Sequence, residues 1–135
     1  METETQTEIN SAVDIVTARQ RGRALALELG FNGADVTLIA AAISEVARNI
    51  VDHAKSGEIV MATIGHPQNG KCGIQIVARD QGPGIRDIAQ AMQYGYSTRK
   101  GLGVGLPGAK WLMDEFDIAS QVGRGTTITM KKWRR

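Results

Sequence analysis

The sequence has few residues that cross-link a chain and no segment long and apolar enough to cross a membrane. Its single cysteine, Cys72, excludes a disulfide within the chain. Two histidines far apart and one thiol do not form a zinc site of the usual spacing. No apolar run approaches the roughly 18 residues of a membrane-spanning helix, and no signal-peptide pattern is present. We therefore expect a cytoplasmic protein without a membrane partner.

The sequence also lacks an excess of charge of one sign. Lys and Arg total 16 against 14 Asp and Glu, which gives a net charge of +2. That balance does not indicate nucleic-acid binding, and we expect no nucleic-acid partner. The basic end, Lys131–Arg135, is interpreted as a solvated tail, with a docking patch as the alternative. At 135 residues and 42% hydrophobic content, the chain is expected to form one domain, residues 1–135, with its own core.

Glycine is the residue in excess. The chain has 16 glycines, and they cluster between residues 82 and 125, where they indicate loops that need close backbone approach. Hydrophobic periodicity predicts helices over about 11–29, 32–55, 86–93 and 105–113. Strands are predicted over about 58–64, 71–79, 115–120 and 126–133, after an edge strand within about the first 10 residues. This order predicts an α+β fold, a two-layer sandwich with the helices on one face of a mixed, mostly antiparallel sheet.

A polar stripe on the second predicted helix is the first feature that suggests chemistry. Glu45, Asn49 and His53 recur at every fourth position, so on an α-helix they lie along one line. The flanking positions are apolar and are predicted to face the core: Leu38, Ala41, Ala42, Val46, Ile50 and Ala54. A carboxylate and a carboxamide at this spacing could hold a ligand against the helix. An ordinary helix surface is the alternative.

The motif Asp80-Gln-Gly82-Pro-Gly84 stands where a predicted strand ends. A buried aspartate at that point could accept a hydrogen bond from an exocyclic amine. The two glycines would let the backbone bend back beside a flat ring. A plain turn of the same composition is the alternative.

The segment Gly101-Leu-Gly103-Val-Gly105 leads into another predicted helix. Glycines before a helix N-terminus, with its unpaired N–H groups, favour a phosphate site, and a flexible loop is the alternative. A dinucleotide-binding fold is disfavoured because no strand precedes the segment, and a Walker A motif because no Gly-Lys-Ser/Thr follows. The last predicted strand begins with Gly125-Thr126, which turn chemistry alone would explain.

Taken in order, these four motifs resemble the GHKL, or Bergerat, ATP-binding fold. The resemblance covers the chain from about Asp14 onward. Within that superfamily the sequence is most similar to the small bacterial serine/threonine kinases of the anti-sigma regulatory group, and among them to the stressosome switch kinases. The match is carried by the runs ISEVARNI, ARDQGPGI, GYST, GLGVGLPGAKWLMDEF and GTTITMKKW.

The resemblance implies a role for each residue of the polar stripe. Glu45 would be the general base that takes a proton from the attacking hydroxyl. Asn49 would bind Mg²⁺ through its side-chain oxygen and so hold the triphosphate of ATP. His53 would tune the site without reacting. The reaction implied is an in-line phosphoryl transfer, in which positioning and charge neutralisation do most of the work.

The resemblance also implies an adenine pocket and a lid over the phosphates. Asp80 would accept from the adenine 6-amino group, Gly82 and Gly84 would shape the ring pocket, and Thr126 would support it through water. The lid would run from Gly95 to Gly105, and Arg99 is a further candidate to contact the phosphate or the partner. The nucleotide-binding residues expected in this region are Ser97, Thr98, Lys100, Gly101, Leu102, Gly103, Val104, Gly105 and Leu106.

The function implied is that of a protein kinase acting on Ser or Thr of STAS-domain partner proteins. Once released, the kinase would activate a PP2C-type phosphatase. An anti-sigma factor and a non-catalytic, nucleotide-dependent binding switch are the alternatives. A histidine-kinase catalytic domain is disfavoured because only 13 residues precede Asp14, and an ATPase module of a topoisomerase or chaperone because it needs a second domain. The sequence leaves open whether the protein is a homodimer.

Overall fold

The computed structural model describes residues 4–66, 70–85, 88, 92 and 105–135. In chain order its elements are β1 (Glu4–Ile9), α1 (Ala12–Glu28), α2 (Gly33–His53), β2 (Gly57–His66), β3 (Lys71–Asp80), α3 (Gly105–Leu112), β4 (Glu115–Gln121) and β5 (Gly125–Trp133). These bounds lie close to the predicted ones. Most of the helix predicted over 86–93, and the predicted lid before Gly105, lie outside the described residues.

The described strands form one five-stranded sheet in the order β1-β2-β3-β5-β4. Each pair of neighbours is antiparallel, so the parallel pair of a mixed sheet does not occur among these strands. The register of β3 and β5 sets Asp80 opposite Thr126. The end of one motif-bearing strand therefore meets the beginning of the other.

The core lies between one face of the sheet and the helices, as predicted. Ile74, Ile76 and Ala78 alternate along β3 and are almost completely buried, and Met61 and Met130 flank Ile76 on the same face. Burying one of these isoleucine or methionine side chains contributes about 1.5–3 kcal/mol before entropy is counted. The result is a two-layer α+β sandwich. In the described ranges, no helix is both long enough and apolar enough to cross a bilayer.

Local sequence signals determine where the two long helices begin and where the first one ends. Asp14 accepts the backbone N–H of Ser11 at 3.2 Å, which is the arrangement of a capping box at the beginning of α1. Asn32 caps α2, because its side-chain oxygen accepts the Asp35 N–H at 2.8 Å. Gly30, with φ of +88°, ends the first helix.

The buried face of α2 differs in part from the predicted one, and α1 buries only part of its apolar residues. On α2, Leu38, Ala41 and Ala54 are only half-buried, and the buried arc instead includes residues further round the helix, namely Ile39, Ile43 and Ala47. On α1, Val13 and Leu27 are exposed. The helix buries Ile15 and Leu25 together with the small residues Ala18, Gly22 and Ala26. A Cβ on Gly22 would lie 2.1 Å from Ile43 Cδ1. Gly22 therefore lets the two long helices approach each other closely.

The basic C-terminal residues are not a solvated tail, and that interpretation was wrong. Lys132 is buried within β5, and its Nζ donates to the carbonyl of Leu112 at 2.8 Å. Arg134 donates its backbone N–H to the Cys72 carbonyl at 2.8 Å. Arg135 donates to Asp114 Oδ1 at 2.7 Å. These hydrogen bonds fix the end of the chain against neighbouring elements.

Candidate active site

The polar stripe of α2 runs from the protein interior to solvent. Glu45 is 8% exposed, Asn49 is half-buried, and His53 is exposed in the last turn. The helical spacing predicted from the sequence is confirmed, because all three residues belong to one uninterrupted helix. Their roles in binding or catalysis stay predictions.

The carboxylate of Glu45 joins α2 to the beginning of α3. Its Oε1 accepts the backbone N–H of Gly105 at 3.1 Å, and its Oε2 accepts from Arg48 Nη1 at 3.3 Å. Gly105 is the first residue of α3 and has φ of +68°. The first N–H groups of a helix lack partners within it and favour negative charge. Glu45 therefore occupies the kind of position that also suits a phosphate group.

The carboxylate of Asp80 lies at the end of β3, where the chain leaves the sheet. Its Oδ1 accepts the Gly82 N–H at 2.9 Å, which fixes the orientation of the side chain. Among the described residues, Oδ2 receives no hydrogen bond. The half-buried carboxylate thus offers one oxygen to an outside donor.

The glycines near Asp80 allow backbone segments to meet closely. A Cβ on Gly82 would lie 2.5 Å from the Cβ of Ala54, so this glycine lets the loop pack against the end of α2. A Cβ on Gly125 would lie 2.1 Å from the Asp80 carbonyl oxygen, at a φ of +108°. Gly84 faces the carbonyl of Gln121 in the same way. Packing thus accounts for these glycines, and a ring contact stays a prediction.

Thr126 is buried beside Asp80 and belongs to a small hydroxyl network. Its Oγ1 lies 2.8 Å from Ser120 Oγ, which also accepts the Ile85 N–H at 2.7 Å. Sequence reasoning missed Ser120, because a serine in a strand carries no local signal of such a role. It also missed Arg48, which the i, i+3 spacing from Glu45 could have revealed.

The structure brings the predicted site residues together in two groups. Glu45 and Gly105 form one group, and Asp80, Gly82 and Thr126 form the other. The loop packs on α2 at Ala54, nine positions after Glu45, which corresponds to about 14 Å along a helix. This separation suits an elongated ligand with a different chemical group at each end.

Several predicted residues are not part of either group. The lid candidates all lie outside the described residues: Ser97, Thr98, Arg99, Lys100, Gly101, Leu102, Gly103 and Val104. Leu106 is described, and its side chain is buried in the core. Only its backbone could therefore contact a ligand at the beginning of α3.

The residues present fit magnesium and a nucleotide. The described part of the chain contains no cluster of three or more His, Cys, Asp and Glu that could enclose a metal ion. Magnesium does not need one, because proteins usually hold it through one or two side-chain oxygens together with phosphates and water. The Asn49 oxygen could be such a ligand. The Asp80 carboxylate and the beginning of α3 suit an amine and a phosphate, respectively.

Comparison with known proteins agrees with this geometry. Residues 10–132 match the family described as "Histidine kinase-like ATPase domain". The chain is 52% identical over 122 residues to the serine/threonine-protein kinase RsbT of Bacillus subtilis (strain 168), with 90% of each chain covered. It is 32% identical over 120 residues to the anti-sigma F factor of Caldanaerobacter subterraneus subsp. tengcongensis, covering 86% of this chain and 82% of that one.

A solved structure supports the fold assignment. The catalytic domain of histidine kinase ThkA superimposes with a TM-score of 0.52 over 96% of both chains, at 14% sequence identity. The chain belongs to the histidine kinase-like ATPase family, a nucleotide-binding family with the GHKL fold. Within it the chain is a serine/threonine-protein kinase of the anti-sigma regulatory group, as its likeness to RsbT shows. The resemblance drawn from the sequence motifs is thereby confirmed.

Proposed function

We propose that this protein transfers the γ-phosphate of ATP to a serine or threonine of a STAS-domain protein. The observation that carries the proposal is the contact between Glu45 and the Gly105 N–H. It sets a carboxylate beside the helix start at which the phosphates of a nucleotide would bind. A base and a phosphate site in contact are what a phosphotransferase needs.

The phosphate end would be formed by α2 and the beginning of α3. The Gly105 N–H and the α3 dipole favour an anion. Asn49 follows Glu45 by one helical turn and would hold magnesium through its carboxamide oxygen. Magnesium, when bound, would neutralise charge on the phosphoryl group being transferred. The predicted contacts of the lid residues would add to this site.

The adenine end would be formed by Asp80 and Thr126. Asp80 Oδ1 is held by the Gly82 N–H, which leaves Oδ2 to accept from the 6-amino group. Thr126 faces Asp80 across the β3–β5 pair and would support the pocket. Gly82 and Gly84 would shape it by letting the loop pack closely against α2 and β4.

In the transfer itself, Glu45 would act as the base. A phosphate that takes the Gly105 N–H would release Glu45 Oε1 from its present hydrogen bond. That oxygen could then accept the proton of the acceptor hydroxyl as the hydroxyl oxygen bonds to the γ-phosphorus. The bond from phosphorus to the bridging oxygen breaks, and ADP leaves. Arg48 would keep the other carboxylate oxygen in place.

The partner switch would follow from the transfer. Phosphorylation of the STAS-domain protein in a stressosome would weaken the complex, and the released kinase would activate a PP2C-type phosphatase. A cytoplasmic location belongs to the same proposal, and a homodimer stays an open expectation. The second candidate is an anti-sigma factor, which the 32% identity to an anti-sigma F factor favours.

Intact-mass analysis tests the proposal. Purified STAS-domain proteins from the same organism would be incubated with this protein and ATP, with magnesium or with EDTA. We expect one of them to gain a single phosphoryl group only when magnesium is present. If ATP binds but none of them is modified, the kinase proposal fails. A pull-down of a sigma factor would then support the second candidate.

A further inference from the structure

A pair of hydroxyl groups stands beside the proposed adenine end. Ser120 on β4 and Thr126 on β5 are direct register partners, and their oxygens lie 2.8 Å apart. Thr126 is in turn the register partner of Asp80 on β3. Thr126 therefore sits between Ser120 and the carboxylate that would receive the adenine amine.

The other contacts of Ser120 fix which hydroxyl donates. The Ile85 N–H donates to Ser120 Oγ at 2.7 Å, so it uses one of the two lone pairs. The carbonyl of Gly125, 3.1 Å from Ser120 Oγ, can only accept, so it takes the single Ser120 proton. The bond between the hydroxyls must then be donated by Thr126. Ser120 Oγ thus donates one hydrogen bond and accepts two, which uses its full hydrogen-bonding capacity.

The direction of that hydrogen bond decides whether Thr126 can donate to a ligand or only accept from it. Because its proton is held by Ser120, Thr126 Oγ1 can offer only lone pairs elsewhere. Asp80 Oδ2 is an acceptor as well. Two acceptors side by side favour a ligand edge that donates hydrogen bonds. A water held by Thr126 would likewise give it one proton and could offer the other to an unprotonated ring nitrogen.

We propose that Ser120 is a specificity-determining residue that acts through Thr126. By accepting the Thr126 proton, it makes this site select 6-amino purines over 6-oxo purines. A carbonyl at position 6 would face two acceptors, which cannot donate to it. The inference rests on the proposed function, because it assumes that the base of the nucleotide lies at Asp80. Ser120 itself does not need to touch the nucleotide.

The test compares dissociation constants for ATP and ITP, which differ in the purine and share the triphosphate. The variants are Ser120→Ala and Ser120→Thr, with Thr129→Val as a control that removes a hydroxyl elsewhere on β5. In Ser120→Ala the Thr126 proton is free to turn toward the ligand and to donate to a 6-oxo group. We expect the preference for ATP over ITP to narrow by up to about tenfold, since the freed Thr126 hydroxyl can donate to ITP one neutral hydrogen bond that the wild type cannot form. Ser120→Thr and Thr129→Val should keep the wild-type ratio.

The ratio of the dissociation constants for ATP and ITP separates a change of specificity from a structural effect. Ser120→Ala also leaves the Ile85 N–H and the Gly125 carbonyl without their partner, and a loop shifted for that reason would weaken both nucleotides alike. Thr126→Val gives a second measure: it removes the acceptor, so ATP binding should weaken with no gain for ITP. A wild-type protein that binds ATP and ITP equally would contradict adenine recognition and with it the proposed function. A wild-type preference that Ser120→Ala leaves unchanged would overturn the role of Ser120 alone.

Discussion

The Glu45 carboxylate accepts the backbone N–H of Gly105 at 3.1 Å, across 60 positions of sequence. This bond ties the middle of α2 to the first residue of α3. It also means that a phosphate bound by the Gly105 N–H would replace Glu45 as its partner. Binding of the triphosphate and release of the base are therefore coupled in the proposed mechanism.

Asn49→Ala should weaken nucleotide binding only when magnesium is present. Loss of a ligand oxygen to a charged group corresponds to about a tenfold or larger rise in Kd. Calorimetric titration with ATP, in magnesium and in EDTA, measures the difference. His53→Ala, on the same stripe but exposed in the last turn, is the comparison variant and should have a smaller effect. Equal losses of ATP affinity with and without magnesium would show that Asn49 does not bind the metal.

Asp80→Asn should weaken ATP binding more than GTP binding. The amide keeps an oxygen for the Gly82 N–H, but its NH₂ group would face the 6-amino group of adenine, and two donors repel. We expect a loss of about 10- to 100-fold for ATP. Competition titrations with both nucleotides measure it, with Asp117→Asn as a control carboxylate on β4. An equal change for the two nucleotides would place the purine elsewhere.

Asp114 should stabilise the C-terminal segment in a pH-dependent way. Burial raises the pKa of Asp114, but the Trp133 N–H, the Arg135 guanidinium and the nearby Lys132 outweigh burial and hold it below its ordinary value of 3.8. A lowered pKa in the folded state gives stability that is present above the unfolded pKa and is lost as the pH falls through the folded one.

Urea unfolding of Asp114→Asn and the wild type tests this expectation. At pH 7 the variant should be less stable by about 1 kcal/mol or less, as is usual for ion pairs near a surface. The difference in the free energy of unfolding between wild type and variant should disappear as the medium is acidified below the ordinary pKa of 3.8. A gap that stays constant over the whole acid range would show that the charge of Asp114 contributes nothing.

Local sequence signals predicted the elements that carry the motifs. The every-fourth spacing of Glu45, Asn49 and His53 requires only one helix, and the Asn32 cap at the beginning of that helix requires only neighbouring residues. The alternation of Ile74 and Ile76 similarly defined the buried face of β3. Such patterns are visible because cause and effect lie within a few positions of each other.

Apart from the local Arg48–Glu45 pair, the missed features depend on residues that are distant in sequence. Ser120 meets Ile85 across 35 positions, and Arg134 reaches the Leu29 carbonyl across 105. Nothing local distinguishes that serine from any other strand residue, or that arginine from a solvated one. The buried arc of α2 was also misjudged at Leu38, because the neighbouring helix and the sheet decide which side is covered.

The measurement that tests the central claim most directly is single-turnover phosphotransfer by Glu45→Gln. Glutamine keeps an oxygen for the Gly105 N–H and nearly the same shape, but it cannot accept the proton of the acceptor hydroxyl. We predict that ATP affinity stays close to that of the wild type while the transfer rate falls by about 10²- to 10⁴-fold, as for loss of a general base. Transfer at the wild-type rate by a variant that binds ATP normally would contradict the assignment of Glu45 as the base.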